Sequence, residues 1–232
     1  MELDVELIVF DWDGTLMDSV EQIVTTMQAA IADLELAPRD AEAIRNIIGL
    51  GLREAVAALY PGEGDALVQA LAGRYREHWL ANADHSRLFP GVVETLGLLR
   101  DEGFRLAVAT GKGRSGLDKA LEATGLKPLF DATRCADETR SKPHPQMLLE
   151  IMDELSAAPE RTLMIGDTEY DMLMARQAGT HPVAVSYGVH PPERLRTHEP
   201  LTCLDRITEL GDWLAECACG NAVATAATRG LA

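Results

Sequence analysis

The sequence predicts a doubly wound α/β fold: a parallel sheet covered by helices on both faces, with an all-helical domain inserted after the first strand. Three observations predict it. Short continuous apolar runs recur along the chain, helical patterns alternate with them, and from Ser19 to about His85 the alternation stops and only helical spacing remains.

Four runs read as buried strands: Leu7–Phe10, Phe104–Ala109, Thr162–Ile165 and Pro182–Val185. Unbroken apolar runs of this length suit strands buried on both faces of a parallel sheet. A fifth strand is expected near Asp131–Arg134. Between the runs, Val92, Val93, Leu96 and Leu99 lie at helical spacing, with Gly103 as a stop. Leu117, Leu121 and Gly125 repeat the scheme. Met147, Leu148, Ile151, Met152 and Leu155 repeat it again, after two prolines that can open a helix. Such alternation predicts βα units wound on both sides of one sheet.

The insertion reads as four helices. Ser19-Val20-Glu21-Gln22 fits a capping box, and Val20, Ile23, Val24, Met27, Ile31 and Leu34 form one apolar stripe. A second helix is expected from Asp40 to Ile48, stopping at Gly49, a third from near Leu52 and a fourth from Asp65 to Trp79. Pro90-Gly91 marks the return to the sheet. The expected organisation is a core from 1–17 and 86–216, a helical domain from 18–85 and a flexible tail from 217–232, rich in small residues.

Composition bounds the function. The 232 residues are 47% hydrophobic and 25% charged, enough to bury a core without staples. A net charge of −16 disfavours nucleic-acid binding, because an acidic surface repels a phosphate backbone. The four cysteines, Cys135, Cys203, Cys217 and Cys219, form no CxxC pair and no zinc spacing. With acidic residues at positions 2, 4 and 6 and no membrane-length apolar run, the expectation is a cytoplasmic protein with free thiols, a monomer or weak homodimer, without membrane or nucleic-acid partners.

In an open α/β sheet, ligands bind at the carboxyl ends of the strands. After the first strand stands Asp11-Trp12-Asp13-Gly14-Thr15-Leu16, after the second Thr110-Gly111-Lys112, and after the Thr162 strand Gly166-Asp167-Thr168-Glu169-Tyr170-Asp171. Ser141-Lys142-Pro143 lies between them. Acids meeting on one rim would repel one another unless a hard cation joined them. Magnesium prefers oxygen ligands and takes few carboxylates. Asp11 and Asp167 would give side-chain oxygens and Asp13 its main-chain carbonyl. Asp11 is then placed as a nucleophile toward phosphorus, and Asp13 as the group that protonates the leaving alkoxide. Thr110 and Gly111 would donate to phosphoryl oxygens, and Lys142 would supply fixed positive charge. Asp171, one helical turn after Asp167, would hold Lys142 or a metal-bound water, or serve as a first-turn acid matched to the helix dipole.

Asp11-Trp12-Asp13-Gly14-Thr15-Leu16-Met17-Asp18-Ser19 resembles the first motif of the haloacid dehalogenase-like superfamily. Thr110-Gly111, Lys142-Pro143 and Gly166-Asp167 with Asp171 resemble its other three motifs, in order. The insertion resembles the helical cap of the subgroup containing phosphoglycolate phosphatase. The resemblance spans residues 5 to about 214 and implies a Rossmann-like core, an aspartate-nucleophile phosphatase acting on a small phosphorylated metabolite, magnesium, and a mobile cap. Trp12 departs mildly from the pattern and is expected to pack under the loop.

Each motif also has a plainer reading. Thr110 could be a helix N-cap, Lys142 an ordinary surface lysine, and Asp18 and Ser19 helix-capping residues, the last preferred. Arg53, after Gly49-Leu50-Gly51, reads as a clamp for a second anionic group of the substrate, with a solvated helix residue as the default. His144, His181 and His190 read as surface or packing residues. Gly111-Lys112-Gly113 lacks the Walker spacing and is not a nucleotide P-loop. All four lysines, Lys112, Lys119, Lys127 and Lys142, lie outside the insertion. That weighs against a sugar-phosphate mutase, which with a non-catalytic binding protein is the alternative.

Overall fold

The computed structural model describes residues 3–81 and 87–217. Its centre is a six-stranded parallel sheet in the order β5-β4-β1-β6-β7-β8. The strands are β1 (Leu7–Phe10), β4 (Arg105–Thr110), β5 (Ala132–Cys135), β6 (Thr162–Gly166), β7 (His181–Val185) and β8 (Cys203–Leu204). A separate antiparallel pair, β2 (Met17–Asp18) and β3 (Arg87–Leu88), joins the points where the chain leaves and re-enters the sheet. β8 and this pair have no sequence signal. Each is two residues long, too short for a periodicity to register.

Side chains alternate across the sheet as strand geometry requires. Ile8, Phe10, Leu106, Val108, Leu163 and Ile165 point into one layer, with Leu96 and Leu99 of α5 (Val92–Asp101) and Leu117 and Leu121 of α6 (Arg114–Thr124). Leu7, Val9, Ala107, Ala109 and Met164 point into the other. There they meet Met147 and Ile151 of α7 (Gln146–Leu155) and Met174 and Ala175 of α8 (Glu169–Ala178). All four residues of β1 are wholly buried. Each such side chain contributes roughly 1.5–3 kcal/mol relative to exposure.

The insertion supplies α1 (Val20–Asp33), α2 (Ala41–Arg45), α3 (Leu52–Leu59) and α4 (Asp65–Ala81). They pack on one another through Val24, Met27, Ile31, Ile44, Val56, Leu59 and Leu71, a core separate from those of the sheet. The second helix is shorter than expected. It starts at an Asp40 cap that accepts from the Ala43 amide at 2.7 Å and ends by Arg45, and turns then carry the chain through Gly49. The expected capping box at Ser19 does not form. Its hydroxyl donates instead to Asp13 Oδ1 at 2.6 Å and makes no bond to the helix amides. A charged acceptor held by tertiary structure outcompetes a neutral helix end. The tail expected over 217–232 lies outside the described residues, except Cys217, which ends a helical run over 209–217.

The buried and exposed faces of α5 are separable by mutation. Leu99→Ala, at a wholly enclosed position of α5, is expected to cost about 2–5 kcal/mol in denaturant unfolding. Leu98→Ala, at a neighbour that is 63% exposed, is expected to stay within about 0.5 kcal/mol.

Candidate active site

Three adjacent strands, β4, β1 and β6, end on the same rim, with Thr110, Asp11 and Asp167 at or just past their carboxyl ends. Parallel pairing makes this unavoidable: Phe10 lies opposite both Val108 and Ile165, so the residues that follow emerge side by side. The Asp11 amide continues the ladder to the Ile165 carbonyl at 2.9 Å. The chain then folds tightly, the Leu16 and Met17 amides both returning to the Trp12 carbonyl at 2.9 Å. Trp12 is wholly buried, its ring edge-on to Phe130 at 6.5 Å, so it does pack beneath the loop.

Gly14 closes that turn with φ of 85°, and a Cβ there would lie 2.2 Å from Asp167 Oδ2. Only glycine meets both conditions. Asp167 is fixed on two sides, Oδ1 accepting from the Thr15 hydroxyl at 2.7 Å and Oδ2 from the Val189 amide at 2.8 Å.

Lys142 draws the acids together. Its ammonium is 2.7 Å from Asp11 Oδ1 and 2.6 Å from Asp171 Oδ1, with all three side chains enclosed. Burial alone would lower the lysine pKa; Asp11 and Asp171 outweigh it and hold the group charged. Asp171 also caps α8, its Oδ2 accepting from the Thr168 hydroxyl at 2.6 Å and the Thr168 amide at 3.1 Å. Asp171 thus lies in the first turn of α8 and against Lys142 at once.

Carboxylate oxygens of Asp11, Asp167 and Asp171 lie within 4.8 Å of one another, completely buried. Burial, then the like charges of Asp171 and Asp167, push Asp11 well above the usual carboxylate range despite Lys142. Asp167 is pushed up to about 7 by burial and by Asp171. Asp11 Oδ2 is enclosed with no hydrogen-bond donor. With all three carboxylates ionised, one ammonium would leave an excess of negative charge that a divalent cation on oxygen ligands would balance. The donor set fits a hard cation.

Asp13 is held apart from that cluster. Its carboxylate accepts from Ser19 and, through both oxygens, from Lys112 Nζ at 2.9 and 3.0 Å, leaving its main-chain carbonyl as its only offer to a cation. Thr110 is enclosed. Its Oγ1 accepts from the Lys112 amide at 3.1 Å and keeps its own proton to donate.

The insertion reaches down to this rim. A Cβ on Gly111 would meet the Leu50 carbonyl oxygen at 2.6 Å and that of Gly49 at 2.7 Å, so the loop between α2 and α3 lies directly on it. The Gly51 amide donates to Ser141 Oγ at 2.7 Å, and the Tyr170 hydroxyl donates to the Asn46 carbonyl at 2.7 Å.

Arg53 is not drawn in. Its guanidinium, 58% exposed, pairs with Asp65 at 2.5 Å, a contact between α3 and the start of α4. The clamp reading is corrected to the solvated one: one residue into α3, the side chain turns toward solvent and a nearby acid. His190 is buried, its Nδ1 accepting from the Glu169 amide at 3.0 Å, and burial lowers its pKa to about 4, so it is a neutral packing residue at pH 7. Sequence reading missed Lys112, Ser19 and Thr15 as partners of the site acids. Lys112 left a signal, as one of only four lysines and placed directly after Thr110-Gly111.

Among the described residues no helix is long and apolar enough to cross a membrane. A protein of Dickeya dadantii named "Probable phosphatase IndB" is 40% identical over 210 residues, covering 88% of this chain and 91% of that one. Phosphoglycolate phosphatase of Rhodospirillum rubrum is 31% identical over 220 residues, covering 89% of this chain and 90% of that one. The crystal structure of a hydrolase from Pseudomonas syringae superposes with a TM-score of 0.84 at 25% identity, covering 91% and 98% of the two chains. The model of the haloacid dehalogenase-like hydrolases matches residues 8–185. With its four motifs meeting on one rim inside that span, the chain belongs to the haloacid dehalogenase-like hydrolase family.

Proposed function

We propose that this chain, a phosphatase of that family, hydrolyses the monoester of a small phosphorylated metabolite, with Asp11 as nucleophile and magnesium as cofactor. The observation that carries the reading is the Lys142 ammonium 2.7 Å from Asp11 Oδ1, inside a buried cluster of three carboxylates. Asp11, Asp167 and the Asp13 main-chain carbonyl would hold the cation; when bound it neutralises charge on the phosphoryl group and lets an anionic substrate approach an anionic nucleophile.

Asp11 attacks phosphorus and the bond to the leaving oxygen breaks; that oxygen takes a proton from Asp13. Water then attacks the aspartyl-phosphate and gives its proton to Asp13, which releases phosphate and restores Asp11. Lys142, the Thr110 hydroxyl and the Gly111 amide donate to the phosphoryl oxygens, and Asp171 keeps Lys142 in place. Residues 18–85 act as a cap whose loop at Gly49–Gly51 closes over Gly111 and Ser141 and excludes water. A mutase is disfavoured because no lysine stands in the cap, and a pure binding role because the full acid and base set is present.

Three outcomes test this reading. Asp11→Asn is expected to lower phosphate release at least about 10³-fold while circular dichroism and the melting temperature stay close to wild type, since the carboxamide is isosteric. Chelation with EDTA is expected to abolish turnover and added magnesium to restore it; full activity in the chelated enzyme would remove the metal from the mechanism. Lys142→Met is expected to cost about 3–5 kcal/mol in urea unfolding, because Asp11 and Asp171 would be left buried without a counter-charge.

A further inference from the structure

Three side chains beside the acid have no part in that chemistry: Lys112 from the core, and Tyr75 and Trp79 from α4. Lys112 Nζ bonds both carboxylate oxygens of Asp13 and lies 4.6 Å from the centroid of the Trp79 ring, over its face. One ammonium thus bridges the acid and the indole, so the two are within reach of a single small ligand. Tyr75 stacks on Trp79, centroids 5.9 Å apart and planes 24° from parallel. The four-residue spacing places both rings on one face of α4. Burial, then the charge of Asp13, raises the Tyr75 phenol.

The leaving oxygen of a substrate must lie within reach of Asp13, so the rest of the alcohol extends into this cluster. Three cations of the insertion offer it little. Arg45, Arg53 and Arg74 are drawn into ion pairs with Glu21, Asp65 and Glu77. A short carboxylated alcohol would find Lys112, whose charge Asp13 already balances. A ring finds more: an aromatic shelf for its C–H face and an ammonium for its oxygens. Lys112 lies over the indole and bonds Asp13, while Tyr75 stacks on Trp79 from the preceding turn of α4, so Lys112 links the aromatic pair to the acid.

We propose that Tyr75, Trp79 and Lys112 form the subsite for the leaving alcohol, and that this alcohol carries a sugar ring rather than a short carboxylate chain, an assignment that rests on the phosphatase reading above. The ring lies against Trp79 and its hydroxyl oxygens accept from Lys112.

The test compares a pentose phosphate, uridine monophosphate, phosphoglycolate and ethyl phosphate, with magnesium present. The wild-type enzyme is expected to favour the two ring substrates. Trp79→Ala is expected to lower their kcat/KM about tenfold, mainly through KM, while ethyl phosphate stays within about twofold and Trp79→Phe recovers most of the loss. A base stacked on the shelf would make uridine monophosphate the more sensitive of the two, and equal sensitivity assigns the contact to the sugar. A wild-type preference for phosphoglycolate, or an equal loss on all four substrates, overturns the proposal.

Asp11→Asn separates it from the catalytic reading. Turnover retained in that variant removes the nucleophile but leaves the Trp79 contrast to be read by itself. In Asp11→Asn the pentose phosphate is expected to quench tryptophan emission, and the quench to vanish in Asp11→Asn combined with Trp79→Phe. Absence of quenching overturns the subsite whatever turnover shows. Because Trp79→Phe keeps an apolar ring in α4, this arm holds even where Trp79→Ala does not fold.

Discussion

Everything at the strand ends depends on one enclosed ammonium. Lys142 joins Asp11 of the first strand to Asp171 of α8, from a loop that belongs to neither. Removing three charges from water costs several kcal/mol per ion, and only short, well-aimed contacts offset it. The contacts, 2.7 and 2.6 Å, are of that kind. Asp171 is aimed by Thr168, whose hydroxyl and amide hold its second oxygen, so the helix cap and the ion pair are one construction. Strain at the start of α8 would reach Asp11 through it.

Much of this was legible in the sequence because the site residues follow strands buried on both faces. Apolar runs such as Leu7–Phe10 have no competing interpretation, and an acid right after one sits at a strand end by necessity. The parallel sheet and the gathering of Asp11, Thr110, Lys142 and Asp167 on one rim followed from that. What could not be read was anything decided by contacts between distant segments. Ser19 has the local signature of a helix cap, yet its hydroxyl serves Asp13. Arg53 follows a glycine-rich loop that does reach the site, but the helical turn after it sends the guanidinium outward. The bond from Lys112 to Asp13 joins residues almost one hundred positions apart, and no local pattern encodes it.

The insertion has its own apolar core, against which Val189 of the sheet domain packs, and it also meets that domain through Gly51 on Ser141, Asn46 on Tyr170 and Arg194, Trp79 on Lys112, and the carbonyls of Gly49 and Leu50 near Gly111. Hydrogen bonds of this sort net about 1 kcal/mol each. The antiparallel pair β2–β3 ties the two connections of the insertion together at its base.

The position of β1 has a consequence for how the molecule is made. Its neighbours are β4 and β6, with Leu7 registered against Arg105 on one side and Thr162 on the other. The ribosome therefore releases the most apolar strand first and its second flank long afterward. Until then that strand is exposed on at least one edge, while the helices of residues 20–81 can already collapse on themselves. The nascent chain thus passes through a stage with a finished lid and no vessel, in which β1 is the segment most in need of chaperone cover.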